Sequence, residues 1–112
     1  KLLQNLVEQG CLAQISTGSI WGRFGTEAKK AADAFLARGL AHLLGTDAHG
    51  ADRRRMIMAE ARDMVAAHYG TEAARALTVD NPSSVIEGRE CKPAEQSSPR
   101  SGLKAIVGSL FR

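Results

Sequence analysis

The sequence predicts an α/β fold with parallel strands, the C-terminal portion of a larger βα barrel. Two short apolar runs, residues 11–16 and 40–47, are separated by a segment of helical periodicity and followed by another, so strand, helix and strand alternate. Strands joined in this way are parallel, because a tight turn can connect only an antiparallel pair. The chain has 112 residues, whereas a closed barrel of this type takes about 250, so these residues account for part of one.

The opening segment, KLLQNLVEQG, sets Leu2, Leu3, Leu6 and Val7 on one side of a helix that Gly10 closes. CLAQIS at 11–16 then reads as a buried strand containing Cys11, and Gly18 to Gly25 as a glycine-rich loop. From Thr26, placed as the N-cap, Ala28, Ala31, Ala32, Phe35 and Leu36 recur at helical spacing until Gly39. LAHLLGTD at 40–47 is the second buried strand.

Residues 52–68 form an amphipathic helix with Met56, Ile57, Ala61, Met64 and Val65 on one face and Arg53, Arg54 and Arg55 at its start. Tyr69 and Gly70 stop it, and Thr71 caps a shorter helix ending at Leu77. Asp80, Asn81 and Pro82 open a last helical turn that closes at Gly88. The sequence therefore divides into a folded part, 1–88, a disordered linker rich in Pro, Ser and charge, 89–102, and a basic amphipathic tail, 103–112.

Composition narrows the function. The 15 basic against 12 acidic residues are scattered, and aromatics make up 4%, which argues against a nucleic-acid surface. No apolar run approaches the roughly 18 residues of a membrane span. Cys11 and Cys91 form no CxxC pair, so a reduced, cytoplasmic compartment is the plainer reading, with one disulfide left open.

Two features carry chemistry. In Gly45-Thr46-Asp47-Ala48-His49-Gly50 a carboxylate and an imidazole emerge where a buried strand breaks into loop, the position at which α/β enzymes hold catalytic groups. Both suit a divalent metal, and their spacing on extended chain turns them to one side; an N-cap with a surface histidine has the same spacing. The other imidazoles, His42 and His68, are expected to be structural or surface groups, since His42 has the opposite strand parity and His68 ends a helix. The second feature, Ser16 to Gly25, joins hydroxyls, Arg23, Trp21 and Phe24 ahead of a helix, where amides and a guanidinium could hold phosphate. It matches neither the P-loop nor the dinucleotide fingerprint, and it reads equally as a connecting loop whose aromatics pack on the barrel rim.

Taken together, LVEQGCLAQISTGSIWGRFG, AHLLGTDAHG, Arg54 and YGTEAARALTVDNPSSVIEG resemble, in order and spacing, the CpsB/CapC-like protein-tyrosine phosphatases of the polymerase-and-histidinol-phosphatase (PHP) type, which accompany bacterial capsular and exopolysaccharide biosynthesis. The resemblance implies a distorted, TIM-like βα barrel that hydrolyses phosphotyrosine on proteins with manganese, or another divalent metal, and no cysteine intermediate. It implies Asp47 and His49 as metal ligands, Arg54 as a catalytic and phosphate-holding residue, and Ser19 and Arg23, with Gly22 and Gly25, at the substrate rim. The family's N-terminal HxH motif and its intervening Glu and His ligands are absent from these residues, so this chain alone is expected to lack a complete site.

The implied partner is a phosphotyrosine protein, a tyrosine kinase of polysaccharide export. The implied location is the cytoplasm, with the tail at the inner face of the membrane. A non-catalytic remnant or interaction module of the same fold is the competing expectation, and small phosphate esters are the competing substrates.

Overall fold

A computed structural model describes residues 1–51 and 58–96. Along the chain run α1 (Leu2–Glu8), β1 (Gln14–Ser16), α2 (Thr17–Ile20), α3 (Thr26–Ala37), β2 (Leu43–Gly45), α4 (Met58–Tyr69), α5 (Thr71–Arg75), a π-helical turn (Ala76–Asp80) and α6 (Asn81–Ile86). Strands β1 and β2 pair in parallel, Gln14 opposite Leu43, Ile15 opposite Leu44 and Ser16 opposite Gly45, with α3 as the expected crossover.

Side chains alternate across a strand, and here the alternation separates two faces. Ile15 and Leu44 turn to one side and join a core with Ala32 and Leu36 of α3, Ala61 and Val65 of α4, and Leu77 of the π turn. Gln14, Ser16, Leu43 and Gly45 turn to the other side, where none is buried.

The helix stops fall where glycine places them. Gly10 and Gly39 have φ of 96° and 64°, a region that costs any residue with a Cβ. In both turns the next amide reaches back to the helix: Cys11 N–H donates to the Leu6 carbonyl at 3.0 Å and Leu40 N–H to the Phe35 carbonyl at 3.0 Å, the Schellman arrangement. Arg89 N–H closes α6 in the same way, on the Ser84 carbonyl at 2.8 Å.

Several local expectations are corrected. Cys11 is exposed and lies outside β1, because its amide is committed to the α1 cap. The glycine-rich stretch begins as helix α2, with Thr17, Gly18 and Ile20 buried. Gly25 and Gly70, not Thr26 and Thr71, are the N-caps of α3 and α5, and neither threonine side chain makes a capping bond. The aromatics leave the rim partly uncovered, Trp21 being 43% and Phe24 44% exposed.

The expected break between Leu77 and Asp80 is absent, and residues 71–86 form one helical run. Pro82 lacks an amide hydrogen and its ring would strike the Thr78 carbonyl in a regular α-helix. The wider π turn immediately before α6 removes that conflict.

Beyond Gly88 the described residues lack helix and strand, as a linker would, yet they are not detached. Ala94 is buried and its N–H donates to the Ala41 carbonyl at 2.8 Å. The Asn81 carboxamide donates to the carbonyls of His42 at 2.8 Å and Lys92 at 2.9 Å. Disorder from Arg89 onward therefore does not hold as far as residue 94. The start of the helix expected at 52–68, with Arg53, Arg54, Arg55, Met56 and Ile57, lies outside the described residues, as do 97–102 of the linker and the 103–112 tail.

Candidate functional site

The parallel register decides which loops meet. With Ser16 opposite Gly45, both strands end at the same edge, so α2 and the turn after it leave the sheet beside Thr46 to Gly50. The sequence-predicted residues Ser19, Arg23, Asp47 and His49 therefore all lie on segments that start from one end of the sheet. Arg54, the remaining predicted site residue, lies outside the described residues.

Asp47 is the one residue other than glycine with positive φ among those described, at 50°. Aspartate tolerates this left-handed conformation better than most residues, and such departures cluster at working sites. The turn brings the Asp47 carbonyl to 2.7 Å from His49 Nδ1. A carbonyl oxygen only accepts, so Nδ1 carries the proton and, in the neutral ring, Nε2 bears the lone pair. This tautomer is the one a metal-binding imidazole needs when it coordinates through Nε2, with the backbone carbonyl orienting the ring.

Asp47 and His49 are both exposed. Carboxylate oxygen and imidazole nitrogen are donors of the right chemistry for manganese or zinc. They do not make a closed set: among the described residues no group of three or more His, Cys, Asp or Glu side chains is placed to hold a metal ion. The pair fits as part of a metal site.

Ser19 sits half-buried in α2 and, with Gln14 and Ser16, borders a cleft of about 350 Å³ against Ala28, Ala31 and Phe35 of α3. Arg23 is exposed, its N–H held by the Gly18 carbonyl at 2.9 Å. The Phe24 ring packs on Gly18, where a Cβ would come within 2.8 Å of it and push the ring aside. A separate cavity of about 490 Å³ lies between α3 and α4, bordered by Lys29, Asp33, Met64, His68 and Tyr69; it contains none of the predicted site residues. Burial and then the Asp33 carboxylate push the Tyr69 phenol up from its ordinary value.

The other two imidazoles are structural or peripheral, as strand parity and position imply. His42 is 2% exposed, on the helix-covered side, and its Nδ1 accepts the Ala13 N–H at 3.0 Å. Burial lowers its pKa below the usual 6.5. His68 is exposed at the end of α4, with Nδ1 at 2.9 Å from the Met64 carbonyl.

One contact on the open face is not legible in the sequence, where Gln14 stands only as part of the LVEQGCLAQISTGSIWGRFG segment. Gln14 projects from the open face, and its carboxamide lies over Gly45: a Cβ on Gly45 would stand 2.5 Å from Gln14 Nε2 and 2.8 Å from Cδ. The available signal was a glutamine inside an apolar strand, diagonal to a glycine in the next.

Comparison with known proteins shows the family. Residues 1–87 match the family model described as capsular polysaccharide synthesis, CpsB/CapC. The chain is 35% identical over 91 residues to the tyrosine-protein phosphatase CpsB of Streptococcus pneumoniae, covering 77% of this chain and 37% of that protein. It is 34% identical over 77 residues to the tyrosine-protein phosphatase YwqE of Bacillus subtilis, covering 69% of this chain and 30% of that one. A crystal structure from work on YwqE and S. pneumoniae CpsB, described as unique metal-dependent tyrosine phosphatases, superposes with a TM-score of 0.73 and 27% identity over 87% of this chain and 40% of its own. The chain thus spans well under half the length of the relatives it matches, and its mixed α/β architecture with parallel strands corresponds to part of theirs.

Proposed function

Because the chain belongs to the CpsB/CapC family, we propose that it works as the C-terminal part of a metal-dependent protein-tyrosine phosphatase built on a distorted βα barrel. The observation that carries this reading is the Asp47–His49 turn, whose 2.7 Å contact from Nδ1 to the backbone carbonyl presets the imidazole for ligation at the end of β2. Asp47 contributes a carboxylate and His49 its Nε2. A segment corresponding to the part of the relatives that this chain does not span completes the ligand set.

Asp47 and His49 would hold part of the coordination of a divalent cation such as manganese, which when bound would activate a water at neutral pH and offset charge on the phosphoryl oxygens. The protein's own part is positional. Ser19 and Arg23 border the rim where a phosphotyrosyl ring enters, and Arg54 pairs with the phosphate, for which a guanidinium fork is suited. No cysteine takes part: Cys11 is exposed on the α1 cap, and burial raises the Cys91 thiol, the reverse of an activated nucleophile.

The substrate in this reading is a phosphotyrosine protein, a tyrosine kinase of capsule or exopolysaccharide export, in the cytoplasm at the inner membrane face. No described helix is long and apolar enough to cross a membrane; in this reading the basic tail, 103–112, touches the bilayer surface. The test is hydrolysis of a phosphotyrosine peptide by the gene product with manganese, after chelation and after readdition. Activity that is lost and restored is the expected result; inactivity in every arm would favour a non-catalytic interaction module of the same fold.

A further inference from the structure

Residues 89–94 are fastened to the approach to β2. Ala94 is 6% exposed and joins the core, and its N–H donates to the Ala41 carbonyl at 2.8 Å. The Asn81 carboxamide, itself buried, directs both its hydrogens to this junction, one to the His42 carbonyl at 2.8 Å and one to that of Lys92 at 2.9 Å. A Cβ on Gly39 would stand 3.5 Å from the Ala94 carbonyl oxygen, so the segment also packs on the turn that ends α3.

The hydrogen bonding shows which end and which edge of the sheet the segment occupies. A trans peptide points its carbonyl and its N–H to opposite sides. His42 N–H donates to the Ala13 carbonyl at 2.8 Å, toward the β1 side, so the Ala41 carbonyl of the same peptide faces the other edge of β2. The segment therefore lies on the edge of β2 away from β1, ahead of Leu43, where the strand starts. Asp47 and His49 follow the opposite end. From Ala41 to Gly45 the chain advances by about 13 Å at strand rise, and the site residues come after that.

This segment does not itself attract an anionic surface: Arg89 pairs with Glu87 at 3.1 Å, and Glu90, Lys92 and Glu95 alternate in sign. What it supplies is attachment. The next basic groups along the sequence are Arg100, Lys104 and Arg112, the last two set among apolar residues, a composition suited to the plane of a lipid interface. From Ala94 to Leu103 the chain can extend by at most about 30 Å, so the tail acts from a tether fixed at the N-terminal end of the sheet.

We propose that residues 89–94 are an anchoring strap, and that on an anionic lipid surface the protein rests on the N-terminal end of its sheet with the Asp47–His49 end turned away. The inference rests on the reading that the 103–112 tail touches the bilayer, and adds the side from which it does so. A phosphotyrosine then reaches the site from the side away from the bilayer, and the tail holds the protein at the membrane without covering the site.

The test uses the gene product with its native cysteines replaced and a nitroxide attached at Glu90→Cys, on the strap, or at Trp21→Cys, on the turn that leaves the opposite end of the sheet; both positions are exposed. Vesicles of phosphatidylglycerol and phosphatidylcholine include a nickel-chelating lipid, whose paramagnetic headgroup speeds the relaxation of a nearby nitroxide. The double variant Asn81→Ala/Ala94→Glu removes the tie and puts a charge where the core alanine sits, which detaches the strap.

The expected result is relaxation enhancement at position 90 and none at position 21, lost on deletion of residues 103–112. In the double variant the contrast between the two positions should fall at unchanged vesicle binding. Equal enhancement at both positions, the greater enhancement at 21, or a contrast that persists in the double variant overturns the inference. Absence of vesicle binding overturns it together with the reading of the tail. Phosphotyrosine hydrolysis by the same samples judges the phosphatase reading separately.

Discussion

His42 makes the stability of this fold depend on pH, with a sign that the hydrogen bonding dictates. Its ring is 2% exposed and Nδ1 accepts the Ala13 N–H at 3.0 Å, so the folded protein holds the neutral form. Burial is the cause of its lowered pKa; the charged groups nearest in sequence on the packed elements are exposed, Asp80 being paired with Arg75 at 3.4 Å. Below pH 6.5 the unfolded chain takes up a proton that the folded chain refuses until its own lower pKa is reached.

Stability from this group is therefore complete above 6.5 and declines as the pH falls through that window, with a slope approaching about 1.4 kcal/mol per pH unit. His42→Leu cannot titrate and leaves the Ala13 N–H without its acceptor, at a cost of about 1–3 kcal/mol near pH 7.5. Urea denaturation of parent and variant between pH 7.5 and 5 should give curves that converge as the pH drops, carboxylate effects being common to both. Parallel curves, or a His42 resonance titrating at or above 6.5 in the folded protein, would refute the argument.

Other outcomes follow from burial and anchoring. Leu77 is fully buried where the π turn meets the core, and Leu77→Ala should cost about 2–5 kcal/mol in equilibrium unfolding of the whole gene product. Asn81→Ala removes both donors that tie the His42 and Lys92 carbonyls, so amide exchange at Ala94 should accelerate while that in α3 stays protected. The two-stranded sheet leaves outer strand edges without partners among the described residues. The isolated 112-residue chain should therefore melt without a sharp cooperative transition in calorimetry.

Much of this was readable in the sequence because it depends on local rules. Gly10, Gly39 and Gly88 end helices through backbone geometry that few other residues adopt, and the apolar runs at 11–16 and 40–47 contain the parallel strands. Pro82 misled for a physical reason: proline announces a helix start, but the π turn before it lets one helix pass through. The anchoring at Ala94 escaped because it rests on one backbone bond and the reach of Asn81 from another element, neither of which alters the polar composition of residues 89–96.

At the site, strand-end logic placed Asp47 and His49 on one edge with Ser19 and Arg23. The left-handed backbone at Asp47 that fixes the His49 tautomer has no sequence signature beyond an aspartate that tolerates it. The Gln14 carboxamide lying over Gly45 is a diagonal contact between strands, invisible until the register is known.

The most direct test of the account is a manganese titration of phosphotyrosine-peptide hydrolysis by the gene product and its Asp47→Ala and His49→Ala variants. If the two side chains ligate the metal, each variant should need at least about tenfold more manganese for half-maximal rate, a ligand being worth no less than the 10- to 100-fold of an outer-shell partner. Titration curves of the variants superimposed on that of the parent protein would contradict it.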